Sequence, residues 1–236
     1  MDKGKLYLIP MVIADETQSD VITPSIRKIL PGLRYFLVEN VRTARRFLSS
    51  LKIFESIEPL QFEILDKDTN PEGLGHFFQP LFDGHSIGVL SESGCPGIAD
   101  PGSLAVSYAH NHSIEVVPLV GPSSILLALM ASGLNGQRFA FNGYLPIDSR
   151  KLMVAIKEFE RESKQKDQTQ VFIETPYRNN SLLSSLLRAL SDKTLLTVAL
   201  DLTGAAENIK TYEVRKWKTL ATELPKTPAV FLFLSR

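Results

Sequence analysis

Residues 91–102 read Ser-Glu-Ser-Gly-Cys-Pro-Gly-Ile-Ala-Asp-Pro-Gly and follow the apolar run Ser86–Leu90. No ordinary helix or strand tolerates this mixture of glycine, proline, acids and the chain's single cysteine. Glycines let a backbone approach a ligand closely, and Pro96 and Pro101 stiffen the loop. If Ser86–Leu90 is a strand of an open α/β sheet, the loop lies at its carboxyl end, where such sheets bind ligands. A tight strand-to-helix connection is the alternative, but this loop is longer and richer in glycine than that requires. Asp100 is expected to cap the following helix. Cys95 is a weak candidate nucleophile. A thiolate needs a base or cation nearby, and residues 86–109 hold no His, Lys or Arg. It is expected to be a small residue filling a tight loop.

Val120-Gly-Pro-Ser-Ser124 forms a second strand-to-helix junction. Free N–H groups at a helix start favour a carboxylate or phosphate, and Ser123 and Ser124 either cap the helix or contact a ligand. Arg42, Arg45 and Arg46 read as a solvated helix face, with phosphate contact as the alternative. His76, His85, His110 and His112 lack metal-ligand spacing, and no metal is expected. There is no GxGxxG or P-loop pattern.

The elements that must position these loops alternate. Strands are expected at Lys5–Ile9, Arg34–Glu39, Ser86–Leu90 and Ile114–Val120. Helices are expected at Pro24–Leu30 (capped by Thr23), Arg42–Leu51, Glu72–Phe82, Leu104–Asn111 and Ser124–Ala131. Strands separated by helices imply a mostly parallel sheet. The second half changes character. Strands at Arg138–Tyr144, Thr169–Glu174, Leu195–Leu202, Ile209–Val214 and Ala229–Leu234 accompany helices at Ser149–Ser163 and Ser181–Leu190. The last two strands have little helix between them, which favours antiparallel pairing. The reading is α/β with two α/β domains, residues 1–134 with a mostly parallel sheet and residues 135–236 with a mixed sheet.

The 236 residues are 44% hydrophobic, enough for a sizeable core. Lys plus Arg and Asp plus Glu both number 26, which argues against a chain-wide electrostatic grip on nucleic acid and leaves room for a local basic patch. One cysteine permits no internal disulfide and no cysteine-based metal cluster. The N-terminal apolar run is too short for a signal-peptide core or a membrane span, so a cytoplasmic protein is expected, with no membrane partner.

Several ordered blocks resemble the tetrapyrrole methylase superfamily, the class III S-adenosylmethionine-dependent methyltransferases. Ser91–Gly102 is similar to its S-D-A-G-T-P-x-I-x-D-P-G segment. Val117–Ser124, Ala131–Leu134 and Arg138–Pro146 match the next blocks in order, and Phe172–Arg178 resembles F-Y-E-S-P-H-R. The closest branch is the ribosomal RNA small-subunit methyltransferase I family, which methylates a cytidine 2′-hydroxyl. The resemblance implies S-adenosylmethionine as methyl donor, bound in the cleft between two α/β domains, a homodimer, and ribosomal RNA or the small ribosomal subunit as partner. Carried onto matching positions, cofactor contacts come from Pro10, Ser91, Glu92, Ser93, Ile98, Ser123 and Ser124, then from Ile173, Glu174, Asp201, Leu202, Thr203 and Ala229. Thr commonly occupies the Cys95 position in the superfamily, which agrees with the filler reading.

The sequence also departs from the pattern. The Gly-Asn turn after the first strand is replaced by Pro10–Ala14, the A-E-D-T-R block reads Val38-Glu-Asn-Val-Arg42, and the R-E-L-T-K block reads Leu200-Asp-Leu-Thr-Gly204. The small C-terminal domain common in that branch is expected to be absent. A ribose hydroxyl is a poor nucleophile at neutral pH and profits from a base, for which Glu39, at a strand end, is the candidate; Glu92 and Tyr177 are alternatives. Arg42, Tyr177 and Arg178 are the expected substrate contacts. Two other activities fit the same blocks: methylation of a tetrapyrrole or other substrate, and S-adenosylmethionine binding without methylation.

Overall fold

The structure, a computed structural model, describes residues 3–66, 68–220 and 223–236. The chain divides into two compact units, Met1–Ser123 and Ser124–Arg236. In the first, the elements in order are β1 (Leu6–Leu8), α1 (Gln18–Val21), α2 (Pro24–Ile29), β2 (Tyr35–Val38), α3 (Val41–Ser50), β3 (Gln61–Ile64), a 3₁₀ segment Pro71–Phe78, α4 (Gln79–Phe82), β4 (Ile87–Leu90), α5 (Gly102–Asn111) and β5 (Val116–Pro118). In the second they are α6 (Ser124–Ser132), β6 (Phe139–Tyr144), α7 (Ser149–Lys166), β7 (Thr169–Glu174), α8 (Asn179–Ala189), β8 (Leu195–Leu200), β9 (Asn208–Glu213), α9 (Val214–Thr219) and β10 (Ala229–Leu234).

The first sheet has the order β3-β2-β4-β1-β5, and every pairing is parallel. β4 is the middle strand, and its four residues Ile-Gly-Val-Leu are all buried. A parallel sheet covered on both faces demands such a continuous apolar run. Alternation assigns the faces. Phe36, Val38 and Leu90 join Ile26, Phe47 and Leu48 of α2 and α3 in one cluster. Leu37, Ile87 and Val89 join Phe78, Ala105 and Ala109 in the other. Because all five strands run the same way, their carboxyl ends share one edge, and the loops after β1, β2, β4 and β5 emerge together there.

The second sheet is mixed, in the order β6-β7-β10-β8-β9, with β6–β7 parallel and the rest antiparallel. Phe172, Phe231 and Phe233 are fully buried beneath α7 and α8. Truncating any one to Ala costs about 3–5 kcal/mol. α6 falls within this unit, packed on β9 and β10, and the Ser132 carbonyl accepts from Thr211 Oγ1 at 2.8 Å. A boundary at residue 134 assigns the same helix to the first unit.

Five local expectations change. Glu72–Phe82 is not one α-helix but a 3₁₀ segment followed by the single turn α4. Gly73, Gly75 and Pro80 weaken an α-helix there. β3 had no strand signal, being a short, mostly exposed edge strand. The last two strands do not pair with each other. Each is antiparallel to β8, one on either side of it, and α9 lies between them in sequence. Thr23 occupies the cap position of α2, but its hydroxyl contacts Ser25 Oγ and the Val120 carbonyl instead of capping. The cap position of α5 is Pro101, one residue beyond Asp100. Among the described residues no helix is long and apolar enough to cross a membrane, and no group of three or more His, Cys, Asp or Glu could hold a metal ion.

Candidate active site

The shared edge of the first sheet begins with Pro10, buried just after β1. It is pressed against the loop after β5. A Cβ added at Gly121 would lie 2.2 Å from the Pro10 Cβ, so only glycine fits that approach. The Met11 N–H donates to the Gly94 carbonyl at 2.8 Å, joining the β1 loop to the β4 loop. The β4 loop then folds on itself. Ser91 is buried, and its hydroxyl donates to the Ser93 carbonyl at 3.1 Å. Ser93 Oγ donates to the Val12 carbonyl at 3.4 Å. Glu92, Ser93 and Ile98 are exposed, leaving the loop's outer surface open.

One carboxylate oxygen organises the rest of this loop. Asp100 Oδ1 accepts from the backbone N–H groups of Gly97 and Gly102, both at 2.7 Å. Although not at the cap position, Asp100 therefore still serves the first N–H of α5. Its other oxygen, Oδ2, is buried without a hydrogen-bond partner. Burial pushes the Asp100 carboxyl above the usual carboxylate range, while the two N–H donors pull it back.

Glu39 follows β2 and is half-buried. Its Oε2 accepts from the Glu92 backbone N–H at 3.0 Å, so the end of β2 is tied to the β4 loop. Burial raises its carboxyl above the usual range, the Glu92 N–H opposes that, and the charges of Asp100, Glu92 and Asp66 add to the rise. Next to it, Asn40 is the N-cap of α3, with Oδ1 accepting from Arg42 N at 2.9 Å and Thr43 N at 3.2 Å. An Asp would cap in the same way, so the Asn40 substitution in the A-E-D-T-R block preserves the local geometry.

Cys95 is half-buried and donates to the Pro122 carbonyl at 3.3 Å. Burial and then the Asp100 charge push its thiol up, away from the thiolate a nucleophile needs. Of the three arginines on α3, Arg45 pairs with Glu58 at 2.6 Å and Arg46 with Asp15 at 3.5 Å, while Arg42 is exposed with no ion pair among the described residues.

The second unit brings its own set together where β7 and β8 end and β10 begins. Ala229 stands opposite both Glu174 and Leu200 in the sheet. The Asp201 N–H donates to the Pro228 carbonyl at 3.2 Å, and Asn179 Nδ2 to the Thr227 carbonyl at 2.8 Å. The turn after β8 is tight. Asp201 and Thr203 both have positive φ, and a Cβ at Gly204 would lie 2.3 Å from Asp201 Oδ2. That carboxylate is held by the Ala206 N–H at 2.9 Å, so the Lys of the family pattern does not fit here while Asp201 keeps this place. Leu202 and Ala229 are buried, and Ile173 is half-buried. Three buried oxygens at this edge, Asn179 Oδ1, Thr203 Oγ1 and Thr227 Oγ1, form no hydrogen bond, while Glu174 Oε2 is held by an ion pair. Such a concentration of unsatisfied acceptors at one sheet end suits a polar ligand.

Glu174 is fully buried and stabilised by Arg178, whose guanidinium lies 3.2 Å from Oε2 and also donates to the Pro146 carbonyl at 3.4 Å. Tyr177 is 84% exposed, with Lys226 Nζ 5.8 Å above its ring. Ser123 is half-buried and Ser124 opens α6. Sequence reasoning missed Asp100 as the loop's organiser and Asn179, whose N–H donors and buried oxygen sit beside the Ala229 edge. An Asn-Asn pair at a helix start is the signal that could have found it.

No protein-family model matches the sequence. The chain is 30% identical over 220 residues to the ribosomal RNA small subunit methyltransferase I of Buchnera aphidicola subsp. Baizongia pistaciae, covering 91% of this chain and 70% of the relative. The protein of that name from Vibrio cholerae serotype O1 is 29% identical over 206 residues, covering 87% and 67%. Among solved structures, the methyltransferase CobJ superposes with a TM-score of 0.65 at 19% identity, covering 98% of this chain and 94% of that one. A uroporphyrin-III-C-methyltransferase from Thermus thermophilus gives a TM-score of 0.56 at 17% identity, with 98% and 92% covered. The two structures establish a shared fold, and the match along nine tenths of the sequence establishes the kinship: the chain belongs to the ribosomal RNA small subunit methyltransferase I family of methyltransferases.

Proposed function

We propose that this protein transfers a methyl group from S-adenosylmethionine to a cytidine 2′-hydroxyl in small-subunit ribosomal RNA, acting in the cytoplasm as a homodimer. The observation that supports it most is the 30% identity to a ribosomal RNA methyltransferase across 91% of the chain. The residues fit the donor. In the first unit, Pro10, the Ser91–Ser93 backbone, Ile98 and Ser123 stand on the loops after β1, β4 and β5, and Ser124 opens the second unit. In the second, Ile173, Glu174, Asp201–Thr203 and Ala229 border the unsatisfied oxygens Thr203 Oγ1 and Thr227 Oγ1, which suit the polar atoms of an adenosine.

S-adenosylmethionine supplies an electrophilic methyl group on a sulfonium. The chain's own task is to bring the hydroxyl into line with it. Such orientation is worth about 7–11 kcal/mol of barrier. Glu39 takes the hydroxyl proton at Oε1, since Oε2 is occupied by the Glu92 N–H. Its raised proton affinity makes it a better base than an ordinary carboxylate, and a positioned base adds about 10²–10⁴-fold. Arg42 and Tyr177, both exposed, contact the substrate, and Arg178 positions the Glu174 edge.

The test is nucleoside mass spectrometry of ribosomal RNA from a strain lacking the gene. Loss of one 2′-O-methylcytidine, restored by the gene, is expected. An unchanged modification profile together with S-adenosylmethionine binding by calorimetry rejects the RNA substrate, and no binding at high micromolar donor rejects the methyl donor as well.

A further inference from the structure

The formal neutrality of the chain conceals a division of charge. Residues 1–123 carry 10 Lys and Arg against 15 Asp and Glu, a net of −5, whereas residues 124–236 carry 16 against 11, a net of +5. Within the second unit the cations concentrate around α9. The stretch Asn208–Lys218 holds four of them and one acid. α9 is locked to its surroundings: the Val214 N–H donates to the Thr194 carbonyl at 2.9 Å, the Arg215 N–H to the Asp192 carbonyl at 3.0 Å, and Trp217 Nε1 to the Leu196 carbonyl at 2.8 Å.

A groove opens on each flank of this helix. One, between α8 and α9, is lined by Arg188, Lys218 and Asn180. The other, between α9 and the edge strand β9, is lined by Asn208, Lys210 and Trp217. Glu223 lines both and is the one acid against the cations Arg188, Lys210 and Lys218 there. Lys216 stands 3.7 Å over the ring of Tyr212 on β9. Lys218 is paired with Asp192, and Arg215 with Glu213. Arg188, Lys193, Lys210 and Lys216 are all exposed and form no ion pair among the described residues. Six other exposed cations of this unit lie on α7, where Glu158, Glu160 and Glu162 intersperse them, and Arg138, Lys226 and Arg236 lie outside it.

We propose that the α9 face, with Arg188, Lys193, Lys210 and Lys216, is a docking surface for the phosphate backbone of RNA. Its chemistry is that of backbone positioning and not of base reading, because amines on a rigid helix-and-strand surface follow phosphates while carrying no sequence information. The Tyr212 ring is already engaged, by an edge-type contact with Trp217 and by Lys216 over one face. This inference rests on the RNA reading of the function and names the surface that supplies the grip.

The test compares two fourfold variants of the whole chain. In one, Arg188→Gln, Lys193→Gln, Lys210→Gln and Lys216→Gln neutralise the α9 face. In the other, Arg150→Gln, Lys151→Gln, Lys157→Gln and Lys164→Gln neutralise α7, removing the same charge elsewhere. Binding to a fluorescent transcript of small-subunit ribosomal RNA is measured by anisotropy across a series of salt concentrations. The α9 variant is expected to lose about 10- to 100-fold in affinity and to flatten the log–log salt slope by about 3, from about 0.7 per neutralised phosphate for four phosphates. The α7 variant and the S-adenosylmethionine affinity of both are expected to stay as in the wild type. Equal losses in the two variants overturn the proposal, since they report only net charge. So does an α9 variant that binds naked RNA normally but binds the assembled small subunit poorly, which assigns the face to an acidic protein partner. Wild-type protein that methylates RNA while the α9 variant binds it unchanged overturns the surface alone. Wild-type protein that neither binds nor methylates RNA overturns the surface and the functional reading together.

Discussion

The Glu92 backbone N–H donates to Glu39 Oε2 at 3.0 Å, so a residue at the end of β2 and the loop after β4 are held as one unit. The bond uses one carboxylate oxygen and leaves the other for a substrate proton. Glu39→Gln keeps an oxygen acceptor for the Glu92 N–H while removing the base. The expected result is a fall in kcat of about 10²–10⁴-fold with unchanged S-adenosylmethionine affinity. Single-turnover methylation and calorimetry on the same preparation check it. Full turnover in the variant removes Glu39 from the chemistry.

Asp100 and Glu39 also shape the response to pH. Both carboxyls are raised, chiefly by burial, so the folded state keeps their protons to a higher pH than the unfolded chain does. In the window between the ordinary carboxylate value and the raised one, the native state binds more protons than the unfolded state. Stability therefore falls as pH rises through that window and is greatest below it. Asp100→Asn keeps Oδ1 for Gly97 and Gly102 but removes the titration. Its melting temperature is expected to decline less than that of the wild type as pH rises from about 4, the ordinary carboxylate value, through the raised one, measured by calorimetry at matched ionic strength. Asp100→Ala instead abandons both N–H donors and is expected to lose about 1–3 kcal/mol at any pH. Parallel profiles for Asp100→Asn and the wild type would show that Asp100 does not titrate in this window.

Cys95 is expected to behave as a packed side chain. Its thiol is raised by burial and donates to the Pro122 carbonyl. Cys95→Ser retains a donor at that place and is expected to keep S-adenosylmethionine affinity and turnover within about twofold, well under the tenfold that 1.4 kcal/mol represents. Maleimide labelling of the wild type at neutral pH is expected to run slower than labelling of a free thiol. Rapid labelling together with loss of turnover in Cys95→Ser restores the nucleophile reading.

The buried strands and the loops they launch were readable because each carries a strong local signal. The continuous apolar run at Ile87–Leu90 marks a strand covered on both faces, and the Gly/Pro-rich segment after it can be neither helix nor strand. β3 and α9 escaped because neither is decided locally. β3 is held in place by its pairing with β2 and by Phe62 stacking on Phe36, and the six-residue α9 depends on Trp217 burying itself against β8. The position of β10 between β7 and β8 is likewise a long-range outcome that no spacing encodes. At the site, loop chemistry pointed to the Gly/Pro-rich segment after β4, resemblance pointed to Ser91–Ser93 within it, and a strand-end position pointed to Glu39. Two relations needed coordinates: the Glu92 N–H that ties Glu39 to that loop, and the Asp100 oxygen shared by Gly97 and Gly102.

Arg178 separates a structural role from a substrate role. Its guanidinium lies 3.2 Å from Glu174 Oε2, and the Glu174 side chain is 0% exposed. Removing the cation leaves a buried carboxylate without its counter-charge, at a cost of about 3–5 kcal/mol. Arg178→Ala is therefore expected to lower the unfolding free energy by that amount, read from the midpoint and slope of denaturant unfolding. Arg178→Lys, which keeps the charge but not the planar fork, is expected to recover part of the loss. RNA affinity of the folded Arg178→Lys variant, measured by anisotropy, is expected to match the wild type, because the side chain is committed to Glu174 and the Pro146 carbonyl. Unchanged stability in Arg178→Ala, accompanied by weakened RNA binding, assigns the residue to the substrate instead.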